Sequence, residues 1–156
     1  VAYAICLAGH QFEKSIYGES KGIKPINELL EASDEEKRYV TYMSLICLLF
    51  QAQKFFWEKV IKEDETAKRF EQYLYEMFQE FTKIKPKSQI TDIGEYVKEK
   101  GPEGELMYLG SRVCRHLKKE DYILMTEINI QFVGILKFGF FESLNNAWEY
   151  EPKDEK

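Results

Sequence analysis

A chain of 156 residues, 44% hydrophobic and 31% charged, is long enough to bury a substantial core and too apolar to be disordered. A net charge of −5 sets up no overall field that would draw nucleic acid or an anionic membrane, which argues against both as partners. The cysteines at 6, 47 and 114 stand far apart with no CxxC pair, which suits reduced thiols in a cytoplasmic setting better than a disulfide framework.

The apolar start, residues 1–8, lacks the basic flank of a signal peptide and is followed by His10, Glu13 and Lys14 at helical spacing. Residues 2–17 read as a helix with Ile5, Ala8, Gly9, Phe12 and Ile16 on one face, its small residues allowing a neighbouring backbone to come close. Gly18 is placed to end this helix, and Pro25 to open a short one through Leu30. The intervening Gly18–Gly22 stretch fits G-x-S-x-G, but that motif needs a strand feeding a sharp turn, and no strand pattern precedes it.

Ser33 followed by Glu36 forms a capping box and starts a long helix expected over 34–62. Its apolar face is read as Tyr42, Leu45, Ile46, Leu49, Phe50, Phe56, Trp57, Val60 and Ile61, and its wet edge as Ser44, Gln51, Glu58 and Lys62. A turn is expected at 62–66, because an unbroken helix to residue 83 would run about 75 Å and leave a compact domain. The next helix, 66–83, places Phe70, Leu74, Met77, Phe78 and Phe81 inward, and Pro86 follows as a stop. A short helix at 89–100 (Ile90, Ile93, Val97) ends at Gly101-Pro102. Another at 103–118 carries Leu106, Leu109, Gly110, Val113 and Leu117 on one face.

The last helix, 121–149, begins at Glu120-Asp121, where acidic residues complement the helix N-terminus. Glu127, Gln131, Gly134, Phe138, Glu142, Asn145 and Glu149 make one narrow polar stripe, and almost everything else in it is apolar. Such a helix must be covered on several sides, so it is expected at the centre of the bundle. Glu127, Asn129, Gln131 and Lys137 interrupt its most apolar window and argue against a membrane span. No period-2 run and no solenoid repeat appears. The expectation is an all-α, single-domain antiparallel helical bundle over residues 1–150, of about five to seven helices, with 34–62 and 121–149 the long members and 151–156 a frayed tail.

Chemistry is sparse. With two histidines, His10 and His116, neither HExxH nor the Glu-x-x-His of di-iron bundles is present. Cys6, His10 and Glu13 share a stripe of the first helix that could supply three metal ligands, with a fourth from elsewhere; a semi-buried helix flank is the favoured explanation, and no cofactor is expected. Arg112, Arg115, His116, Lys118 and Lys119 form the one concentrated basic patch, able to hold a phosphate, although cations also belong in a last helical turn for electrostatic reasons. The R-x3-H spacing of Arg112 and His116 distantly resembles the R-x4-6-H motif of the higher-eukaryote/prokaryote nucleotide-binding (HEPN) ribonucleases, which are also helical bundles. The spacing departs from that motif by at least one residue, about 100° on a helix. Gln53, Glu127, Asn129 and Lys137 lie on or beside apolar faces and could line a small-molecule pocket, or pair among themselves.

The two long helices display more apolar surface than their short partners can cover. The role expected first is therefore a non-enzymatic interaction or assembly module, a homodimer or a binder of another protein. A sensor or carrier of a small apolar molecule is the alternative, and a HEPN-like ribonuclease using Arg112 and His116 the third.

Overall fold

The computed structural model describes residues 1–17, 32–60 and 64–149. It is an all-α bundle, with no strand among the described residues. In chain order the helices are α1 (Ala2–Tyr17), α2 (Asp34–Val60), α3 (Asp64–Thr82), α4 (Lys87–Lys100), α5 (Gly104–His116) and α6 (Tyr122–Ile135). A π-helical segment, Leu136–Phe140, then leads into α7 (Phe141–Trp148). The features expected at Gly18–Gly22, at 25–30, at 61–63 and in the 151–156 tail lie outside the described residues.

Local chemistry sets the helix ends. The capping box forms: the Ser33 amide donates to Glu36 Oε2 at 2.8 Å, and the Glu36 amide donates to Ser33 Oγ at 3.3 Å. Asp121 caps α6, its Oδ1 accepting from the Ile123 and Leu124 amides at 2.9 and 3.1 Å. The turn after α3 passes through Lys83 at φ 60, a left-handed conformation that costs a side-chain-bearing residue energy. Gly101 ends α4 at φ 84, its amide donating to the Val97 carbonyl.

The packing centre is α2, not the 121–149 segment. α2 touches α1, α3, α4, α5 and α7. Ile46, Cys47, Leu48 and Leu49 are four consecutive buried residues, which a helix shows only when it is covered on all sides. That surround overturns half of the expected wet edge: Ser44 and Gln51 are buried, the Ser44 hydroxyl donating to the Thr41 carbonyl at 2.7 Å, while Glu58 is exposed as expected and Lys62 lies outside the described residues. On α1, Gly9 lets α2 come close, since a Cβ there would stand 2.6 Å from Leu45 Cδ2. Phe81 also departs from expectation at 62% exposed, although it points in the direction of Phe70 and Leu74.

α6 lies one layer out. Its principal neighbours are α5 and α1, both of which pack on α2. Leu124, Ile128 and Phe132 form its buried ridge, Phe132 meeting Phe12 edge-to-face with centroids 6.0 Å apart. The single long helix expected over 121–149 is broken: Phe138 (φ −100, ψ 29) and Gly139 (φ 159, ψ −34) leave helical geometry. The break turns Phe138 into solvent, 91% exposed, while Leu136 and Phe140 on either side are buried.

Candidate functional site

Among the described residues α6 is covered from the α1–α5 side, and exposure locates its outward face. Leu124, Ile128 and Phe132 point inward, so at about 100° per residue the opposite direction falls on Thr126, Ile130 and Ile123, flanked by Tyr122, Val133 and Gly134. Tyr122, Ile123 and Ile130 are exposed at 75%, 65% and 54%. The expected polar stripe through Glu127 and Gln131 is thus at the helix flank, both residues being half-buried, and the centre of the solvent-facing side is apolar.

α5 extends this surface. Leu106, Met107, Tyr122, Met125, Thr126, Asn129, Ile130 and Val133 line an open groove of about 330 Å³ between the two helices. The two helices cross closely at Gly110. A Cβ there would stand 2.4 Å from the Met125 carbonyl oxygen and 2.6 Å from Asn129 Oδ1. Asn129 seals the crossing, its Oδ1 accepting from the Gly110 amide at 2.8 Å. By length and composition Tyr122–Trp148 could also cross a membrane, and only 28% of its most apolar window is buried.

The four pocket candidates do not converge. Gln53 accepts a hydrogen bond from the Tyr75 hydroxyl at 2.7 Å and borders a crevice between α2 and α3. Asn129 is committed to Gly110, Glu127 is half-buried on the flank of α6, and Lys137 is exposed at the break.

The basic patch divides in two. Arg112 turns away from the others into a pin joining α4 and α5. Its Nε lies 3.2 Å from Asp92 Oδ2, its Nη2 donates to Asp92 Oδ1 at 3.3 Å, and its guanidinium sits over the Tyr96 and Tyr108 rings. Tyr108 donates its hydroxyl to the same carboxylate. Burial works against the Arg112 charge, but Tyr108 and Asp92 outweigh it and hold the guanidinium protonated. Nε is buried at ion-pair distance without hydrogen-bond geometry, as expected of a charge held by stacking as much as by its carboxylate. Burial, then the bond to Asp92, push the Tyr108 hydroxyl above its ordinary value.

His116 is exposed and stacks on Tyr39, centroids 3.5 Å apart and planes 11° from parallel. Arg112 and His116 are therefore each engaged by a different neighbour. Arg115, Lys118 and Lys119 border an open depression of about 790 Å³ at the α5–α6 turn, together with the carboxylates Glu120 and Asp121, so its charge is mixed. Cys6, His10 and Glu13 lie on the outer side of α1, Cys6 half-buried and the other two exposed. Burial pushes the Cys6 thiol up. Among the described residues no group of three His, Cys, Asp or Glu side chains is placed to hold a metal ion.

Sequence reading passed over Asp92, Tyr96 and Tyr108, although the i, i+4 pairs Asp92–Tyr96 and Tyr108–Arg112 carried a signal of two polar, aromatic helix faces meeting. Comparison with protein-family models, with curated proteins and with solved structures found no match to this chain.

Proposed function

We propose that this chain is a non-enzymatic assembly module that associates with itself through the outward face of α6 and the adjoining edge of α5. One observation carries the reading: the centre of α6's solvent-facing side is Ile130 and Ile123, with Tyr122 and Met107 beside them, where a helix facing only water would present charge. A contiguous apolar patch rimmed by polar groups is the usual surface of a protein–protein contact, and tyrosine and methionine are enriched there. The rim is present in Arg115, Lys118, Glu127 and Lys137.

The carrier reading has less support, because Gln53 and Asn129, the polar groups that would orient a ligand, are satisfied by Tyr75 and Gly110. Arg112 as a pin between helices likewise supports a scaffold more than a catalytic centre. Native mass spectrometry over a range of concentrations tests the proposal. A dimer that Ile130→Glu converts to monomer, with helical circular dichroism unchanged, is the expected result. A dimer indifferent to Ile130→Glu but lost in Phe81→Gln would move the contact to α3.

A further inference from the structure

Gln51 differs from the other buried polar residue, Ser44. It is 5% exposed, yet its amide makes no hydrogen bond to any described residue, whereas the Ser44 hydroxyl bonds to the Thr41 carbonyl. Arg112 Nε is the one fully enclosed side-chain nitrogen or oxygen without a hydrogen bond among the described residues, so both amide atoms of Gln51 keep a little open surface. Gln51 borders an open cleft of about 310 Å³ between α2, α5 and α7.

One face of α2 forms most of this cleft. Gln51, Lys54, Phe55 and Glu58 stand at i, i+3, i+4 and i+7, so they share a side of the helix. Lys54 Nζ donates to Glu105 of α5 at 2.7 Å. Phe55 stacks on Phe141 of α7, centroids 6.1 Å apart and planes 17° from parallel. An ion pair and an aromatic pair thus tie both neighbouring helices to α2, each about one turn beyond the amide.

We infer that the cleft binds a small, flat, neutral molecule with an amide-type edge, a primary carboxamide or a lactam. The Gln51 amide carries a donor and an acceptor side by side, and a second amide edge meets both at once. An ammonium only donates and a carboxylate only accepts, so either leaves one buried atom of Gln51 unpaired. The rim sets the carboxylates of Glu58 and Glu105 against the single ammonium of Lys54, which further disfavours an anion. Phe55 and Phe141 supply apolar surface for a flat ring, and the volume suits a small ligand. None of this depends on what the outer face of α6 meets.

NMR titration of the isotope-labelled protein with benzamide, benzoate and benzylammonium, probes of one shape and different charge, tests the inference. Benzamide should shift the Gln51 side-chain amide signals and bind about 10-fold or more tighter than the others, since each of those forfeits a hydrogen bond to a buried partner. Gln51→Met, close in volume but without donor or acceptor, should lose that preference with its helical circular dichroism unchanged. No benzamide shift in the wild type up to the probe's solubility limit overturns the inference. So does a wild type that binds benzoate or benzylammonium as tightly as benzamide, or a folded Gln51→Met that keeps the preference. Should Gln51→Met fail to fold, the ranking of the probes on the wild type decides alone.

Discussion

A methyl group added at Gly110 would meet two oxygens that cannot easily move, the Met125 carbonyl and Asn129 Oδ1, at 2.4 and 2.6 Å. Gly110→Ala should therefore destabilise by roughly 1–3 kcal/mol through overpacking, seen as a lower urea midpoint at unchanged slope. The reverse holds at Lys83, whose φ of 60 suits glycine. Lys83→Gly should raise stability by about 1 kcal/mol, and a fall in the urea midpoint would show that the Lys83 side chain makes contacts that outweigh the backbone relief. The buried tyrosines and Cys47 give a pH dependence. Burial raises Tyr75, Tyr108 and Cys47 above their ordinary values of 10.0, 10.0 and 9.0, so the folded state keeps protons that the unfolded state gives up. Stability should be level below those values and decline as pH rises through them, and Tyr108→Phe should flatten part of that alkaline slope.

Helix boundaries were readable wherever a side chain acts on its own backbone. Ser33 with Glu36, Asp121, and Gly101 are local signals, and each functions as the sequence implied. Ser33→Ala should accordingly cost about 1 kcal/mol and lower the melting temperature by roughly 2–4 °C. What was not legible depends on who packs against whom. α2 and the 121–149 segment both read as apolar rods with polar interruptions, and their rank in the bundle was reversed. Ser44 and Gln51 looked wet because polar residues at helical spacing normally face water, yet the elements packed around the middle of α2 bury them and leave only its ends exposed. The break after α6 is likewise invisible to periodicity, since Phe138 fits an unbroken helical stripe until its φ of −100 and ψ of 29 are seen. Of the candidate site residues, those named for chemical type proved to be spread over separate neighbours. The apolar face of α6 had been seen as surplus hydrophobic surface but not located, because composition reports how much apolar area a helix carries and not which part its partners cover.

At the scale of the whole molecule the described residues have a saturated centre and an uncovered apolar flank on α6. α2 is enclosed, α1 and α5 cover it, and α6 lies on them with its own outer side uncovered. On the proposed function, a second copy laid on that flank would cover the apolar side that α6 leaves exposed among the described residues. Association of this kind links to stability, so the thermal midpoint of the wild type should rise with protein concentration, whereas that of Ile130→Glu should not.

Sedimentation equilibrium of the wild type beside Ile130→Glu tests the central claim most directly. The expected result is a concentration-dependent mass approaching twice that of the 18.5 kDa chain for the wild type and the single-chain mass for the variant. A wild type that keeps the single-chain mass at every concentration, or a variant that dimerises as well as the wild type, would contradict it.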